Sequence, residues 1–369
     1  MVNGMNSVLQ MTSVLRQRAR RSLGWGLLGF ATMQLSLAIA IELWLPQLRD
    51  PLYGDKLHQL RRRVAEAGPG QPLVVMLGSS RTVHGFDARQ VEAFAQSRQR
   101  PVVAYNFGVP GARPLTQLVN FRRLLADGVK PDVLLVEIFP PMLTRHPAAF
   151  DFSQFPPERL WRHELPVIER YLGMLGLPAQ LGRSWWVAWC APAYSHRFAL
   201  QRVAWPTLLP AEGCGHLFAA FDAGGWNRLE RTAIAPERWA SALGQAKREY
   251  GDLLADYQLG GPACTALEEL LEICRRERIA AALVIMPEGP TFQSWYPPGV
   301  WPRVVEYIEG LGRRFSAPVI DAHDWMGDEQ FVDSHHLLAP AAEAFSARLA
   351  RLTPGLPLST ADLPARARR

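Results

Sequence analysis

Five short apolar runs, each ended by turn residues, constrain this chain more than any other feature: Leu73 to Leu77, Val102 to Asn106, Val133 to Ile138, Ala282 to Met286 and Val319 to Ala322. Runs this apolar suit strands buried on both faces, since a strand with one wet face alternates. Helical patterns lie between and after them, at Ala88 to Gln96, Leu115 to Leu125, Ala266 to Arg278, Val304 to Phe315 and Pro340 to Ala350. Strand and helix in alternation predict an α/β fold, a five-stranded parallel sheet with helices on both faces and right-handed crossovers. Ligands of such sheets bind beyond the carboxyl ends of the strands, which directs attention to the residues just after each run.

The third and fourth runs are much further apart than one crossover requires. The excess, residues 143–260, reads as a mostly helical insertion rich in Pro and Trp, including Trp161, Trp185, Trp186, Trp189, Trp205, Trp226 and Trp239. It is either a cap that buries its own aromatics or a lid or platform on which sugar rings stack. The tail, residues 354–369, has few large apolar side chains and is expected to fray.

Residues 22–41 contain no charged side chain, a length that crosses the roughly 30 Å of bilayer hydrocarbon as a helix. Arg16, Arg18, Arg20 and Arg21 precede this stretch without an acid, whereas Glu42, Arg49, Asp50, Asp55 and Lys56 follow it. The positive-inside bias predicts a cytoplasmic leader at 1–21, a single-pass anchor at 22–45 and an exported domain at 46–353, periplasmic or at the cell surface. Ala38-Ile39-Ala40 also fits a signal-peptidase site, and both readings export the domain. The net charge of +6 comes from scattered residues, Arg61-Arg62-Arg63 being the tight interior run, and no nucleic-acid motif accompanies it, so no nucleic-acid partner is expected. Cys190, Cys214, Cys264 and Cys274 form no C-x-x-C pair. An exported chain can hold a disulfide, but Cys264 and Cys274 would lie about 15 Å apart along one helix, too far to bridge.

The first run leads directly into Leu77-Gly78-Ser79-Ser80-Arg81-Thr82, and a helical pattern follows. A serine between strand end and helix start has its hydroxyl at the sheet's carboxyl edge, near backbone N–H groups that stabilise developing negative charge. At the far end, Phe331-Val332-Asp333-Ser334-His335-His336-Leu337 sits between the last strand and the last helix. Asp and His three apart on a turn can set a carboxylate beside an imidazole, fixing the tautomer that accepts a serine proton. Ser79 is the alternative nucleophile and His335 the alternative base. Glu288, at the end of the fourth strand, points to the same edge as a possible substrate contact. Asp321, His323, Asp324, Asp333, His335 and His336 supply metal-ligand chemistry, but no H-E-x-x-H or comparable spacing supports a site, so neither metal nor cofactor is expected.

These blocks resemble the SGNH (GDSL-like) hydrolase superfamily. Gly78-Ser79-Ser80 matches its Gly-x-Ser block, with Ser80 as nucleophile; Asn106-Phe107-Gly108-Val109-Pro110-Gly111 resembles its second block, with Gly111 as backbone oxyanion donor beside Ser80; Asp333 and His336 match its Asp-x-x-His block. The resemblance implies a three-layer α/β/α, flavodoxin-like fold and ester chemistry through a Ser-His-Asp triad. One block departs. Where the family has Gly-x-Asn after the third strand, this chain has Phe139-Pro140-Pro141-Met142, and proline offers no donor. Losing such a donor costs about 2.7 to 4 kcal/mol, so Ser80 and Gly111 must suffice or Arg81, Arg145 or His146 must move in. The Gly-Ser-Ser-Arg form with an amino-terminal anchor is similar to envelope proteins that move acyl groups on surface polymers. That likeness implies an esterase or O-acyltransferase acting on an acylated glycan or small ester, near envelope polysaccharide machinery. Arg81 and Arg145, near the blocks, and Glu288, at its strand end, are the candidate substrate contacts, a plain turn being the alternative for Glu288. The rival expectation is a catalytically degraded domain of this kind, serving as a polysaccharide-binding or scaffold subunit.

Overall fold

A computed structural model describes residues 2–68, 70–146, 152–177, 180–209, 220–229 and 234–353. The tail at 354–369 and Cys214 lie outside the described residues. The chain separates into two compact units. The larger comprises Leu52–Phe155, Val167–Pro178 and Phe218–Arg369, and the smaller comprises Met1–Pro51, Pro156–Pro166 and Ala179–Leu217. The insertion is therefore not one body, since its sequence is shared between the two.

In the larger unit the apolar runs form β1 (Leu73–Gly78), β2 (Val103–Gly108), β3 (Val133–Ile138), β4 (Ala280–Ile285) and β5 (Val319–Asp321). All pair in parallel, in the order β2-β1-β3-β4-β5. Every residue of the first three strands is buried, which explains their lack of alternation. The helices Ala88–Ser97 and Ala339–Leu352 cover one face. There Val91, Ala95, Phe345 and Leu349 form one core with Val74, Met76, Leu135 and Val284. The helices Pro114–Ala126, Pro262–Glu277 and Val300–Phe315 form the other layer. The chain runs from β1 out to β2 and then back past β1 to β3, so β1 is the topological switch point, where a crevice opens at the strands' carboxyl ends.

The outer edge of β2 is closed by local chain. Asn106 N–H donates to Gly224 O at 2.8 Å, and Lys56 Nζ donates to Asn106 O at 2.9 Å and Gly225 O at 3.1 Å. Lys56 is fully buried over the Phe221 ring; burial lowers its ammonium pKa to about 7, against the opposing pull of Asp222.

The smaller unit contains the helix Val2–Leu43, whose segment Arg16–Leu43 is long and apolar enough to cross a membrane. Helices Leu181–Cys190, Pro192–Ser195 and Arg197–Ala204 belong to the same unit, and Ala199 and Leu200 pack with Leu37, Ile41, Leu45 and Leu48. Cys190 is exposed, Cys264 and Cys274 are buried, and all three are free thiols.

Candidate active site

The turn leaving β1 is shaped by a carboxylate. Glu137, 2% exposed in β3, accepts from Ser79 N–H at 2.6 Å, Ser79 Oγ–H at 2.7 Å and Thr82 Oγ1–H at 2.5 Å. Gly78 is required for that approach, because a Cβ there would lie 2.7 Å from Glu137 Cβ. Ser79 also caps the helix Ser80–Gly85, its Oγ accepting from Arg81 N–H at 3.2 Å. Its hydroxyl is thus bound on both sides, which sets Ser79 apart from Ser80 as a candidate nucleophile.

Ser80 takes the first helical position and is only half-buried. Its Oγ lies 2.7 Å from His336 Nε2, and His336 Nδ1 lies 2.8 Å from Asp333 Oδ2. With a carboxylate on Nδ1 the ring keeps its proton there, and Nε2 is free to accept from the serine hydroxyl. Burial alone would raise the Asp333 carboxyl, but His336 and His335 outweigh it and hold the group well below the usual carboxylate range.

The loop carrying Asp333 and His336 is pinned at its base by pairing of Phe331 with Leu337 and by Val332 N–H donating to His336 O at 2.8 Å. Asp333 Oδ1 accepts from the N–H groups of His336, at 2.8 Å, and His335, at 3.2 Å. Ser334 turns the backbone with φ +68°, and its hydroxyl donates to Asp328 Oδ1 at 2.5 Å while accepting from Phe292 N–H at 3.0 Å. His335 faces inward, packed among Phe139, Tyr250 and Phe292; burial, with His336 beside it, lowers its pKa. It makes no hydrogen bond to Ser80 among the described residues.

Ser80 N–H and Gly111 N–H have no protein acceptor among the described residues. Gly111 has φ +72°, and the Gln154 amide lies against its Cα, 2.7 Å from where a Cβ would stand. The reading of Arg81 and Glu288 as substrate contacts is corrected. They are 2% and 0% exposed, with Arg81 Nη1 lying 3.4 Å from Glu288 Oε1. Arg81 Nη2 donates to Met286 O and Pro287 O, its guanidinium stacks on Phe139, and Glu288 also meets His323 Nε2 at 3.0 Å. This buried pair ties the turn after β1 to the chain leaving β4. Arg145 is exposed and folds against Gly260 and Gly261, beside the Thr144–Leu259 bridge. His146 donates its N–H to Thr144 Oγ1 at 3.3 Å.

Two neighbours carry more weight here than the sequence suggested. Glu137 is the shaping carboxylate, and its only signal was an acid inside an otherwise apolar run. His84, in the helix that Ser80 begins, has its ring centroid 5.8 Å from that of His336 and its Nδ1 2.9 Å from Asn227 O. Burial, only partly offset by the Asn227 carbonyl, lowers its pKa to about 4. Asp333, His335 and His336 also bring ligand atoms within 4.8 Å of one another, a set able to hold a cation, although the same atoms are engaged with each other and with Ser80.

Residues 51–155 match a family described as "Protein of unknown function (DUF1574)". No curated protein matches. A solved structure of a mutant of the esterase AlinE4 is similar over 69% of this chain and 77% of its own, at 13% identity and a TM-score of 0.28. A likeness this slight says nothing of the chemistry.

Proposed function

We propose that this chain is a membrane-anchored serine esterase or O-acyltransferase of exported, acylated glycans or small esters, with Ser80 as nucleophile, His336 as general base and Asp333 holding the base in orientation. One observation carries the reading: the line from Ser80 Oγ through the His336 ring to Asp333, with contacts of 2.7 and 2.8 Å. As Ser80 Oγ bonds to an ester carbonyl, its proton passes to His336 Nε2, and the imidazolium is stabilised by Asp333. The N–H groups of Ser80 and Gly111 meet the developing oxyanion. His336 then protonates the leaving alkoxide. Water or a glycan hydroxyl, deprotonated by the same nitrogen, attacks the acyl-enzyme and restores Ser80.

The anchor belongs to the same reading. Trp25 and Trp44 are 72% and 69% exposed near the two ends of the apolar segment. They are 19 residues apart, about 28 Å along a helix, the spacing of the two aromatic belts of a bilayer. The four arginines that precede the segment support, by the positive-inside bias, an amino terminus in the cytoplasm and an exported larger unit.

The absence of a side-chain donor at Phe139-Pro140-Pro141 favours the second reading, a binding subunit that retains the geometry without turnover. Intact-mass measurement after incubation with a short-chain nitrophenyl ester and with acetylated xylan or alginate separates the two. A transient acyl adduct on Ser80, lost in Ser80→Ala, is expected. Glycan binding without adduct or turnover would establish the binding role instead.

A further inference from the structure

We infer that helices Leu181–Cys190 and Arg197–Ala204 form a re-entrant element immersed in the lipid leaflet on the Glu42 side of the anchor; this rests on the anchor reading above. The depth follows from contacts within the smaller unit. Gln34 is 8% exposed and accepts from Ala193 N–H at 3.2 Å, while Ala38 and Ile41 are 3% and 1% exposed. Gln34 precedes Glu42 by eight residues, so the contact lies about 12 Å below the charged end of the span, well inside a hydrocarbon core of about 30 Å. A glutamine at that depth needs a polar partner, and the amide at the start of the helix Pro192–Ser195 provides one.

These helices have 10 and 8 residues, about 15 and 12 Å, too short to cross, so they must enter and return on one side. They carry a lipid-compatible exterior. Trp186, Val187, Tyr194, Val203, Trp205 and Leu208 are between 47% and 72% exposed, an arrangement that water disfavours and a bilayer accepts. The charge pattern agrees: from Leu181 to Ala211 there is no acid, and Arg183, Arg197 and Arg202 are the cations, suited to anionic headgroups. Continuity with the span, rather than the aromatics alone, selects lipid over a sugar or a protein as occupant.

The full-length chain, with Cys190→Ser and Cys214→Ser, is placed in nanodiscs of phosphatidylcholine and phosphatidylglycerol. Single cysteines are introduced by Leu28→Cys in the span, Val187→Cys and Val203→Cys in the element, and Glu306→Cys on an exposed helix of the larger unit. Reaction with a membrane-impermeant maleimide is expected to be at least about tenfold slower at 28, 187 and 203 than at 306, as for thiols outside water. Bimane at 187 and 203 should be quenched by lipid-borne nitroxides. If 187 and 203 react as fast as 306 while 28 is protected, the element is wrong and the anchor stands. If 28 reacts as well, both fall. Protection at 187 and 203 without nitroxide quenching would mean that protein, not lipid, covers the surface, and would also overturn the proposal.

Discussion

Adjacent serines at the end of β1 make contrasting predictions, because one is bound at both ends and the other meets only an imidazole. Ser79→Ala removes a helix-capping acceptor, at about 1 kcal/mol, and a hydrogen bond to a buried carboxylate, at about 1.5 to 3 kcal/mol. The sum, roughly 2 to 4 kcal/mol, should lower the melting temperature by about 5 to 15 °C for a unit of this size. Ser80→Ala removes a single contact of a half-exposed hydroxyl, and stability should change by less than about 1 kcal/mol. Chemistry should respond in the opposite order. Fluorophosphonate labelling and ester turnover per folded molecule should persist in Ser79→Ala, whereas in Ser80→Ala labelling disappears and turnover drops at least about a thousandfold. Differential scanning fluorimetry and in-gel labelling on the same preparations measure both quantities. Full labelling of folded Ser80→Ala, or its loss in folded Ser79→Ala, would refute the assignment of the nucleophile and of the cap.

Glu288→Gln should destabilise the larger unit by about 3 to 5 kcal/mol, measured by denaturant unfolding, because it leaves the buried Arg81 guanidinium without its counter-charge. His84 predicts acid sensitivity. Its folded pKa of about 4 lies below the ordinary 6.5, so the unfolded chain binds the extra proton, and stability falls as pH drops from about 6.5 to about 4, by about 3 kcal/mol in total. His84→Gln should flatten that limb in unfolding curves taken at pH 5 and pH 7. Chelation with EDTA should leave ester turnover unchanged; a loss reversed by added zinc would convert Asp333, His335 and His336 from a hydrogen-bonded line into a ligand set.

The sheet was legible because burial on both faces leaves an unmistakable residue pattern, and the observed strand ends differ from the expected ones by at most two residues. The contact of Ser80 with His336 and of His336 with Asp333 was anticipated because Ser80 follows β1 at the edge where such a sheet opens, while Asp333 and His336 stand three apart on the turn before the last helix, as in the Asp-x-x-His block they resemble. Depth below that edge was not legible. Arg81 and Glu288 occupy the expected chain positions, yet they face each other inside the protein, since a position after a strand says nothing about how far a long side chain folds inward. The division of the insertion was hidden for a related reason: it depends on which distant helix each short segment meets. Ser79 and Ser80 have the same side chain, and what separates them in the structure is Glu137 on the neighbouring strand, which binds the first hydroxyl, and His336, which meets the second.

Ser80 and His336 stand 256 positions apart, and the contact between them has to wait for all of the chain that separates them. A nascent chain that ends before His336 holds the alcohol but lacks the imidazole, so the proposed proton path arises only when the turn carrying Asp333 and His336 and the helix behind it dock. Closing so long a loop adds little entropy beyond that of a shorter one, yet under the proposed mechanism it makes reactivity a report on the docking of that turn. Under the proposed mechanism, truncation ahead of Asp333 would silence the serine while leaving the residues of all five strands present.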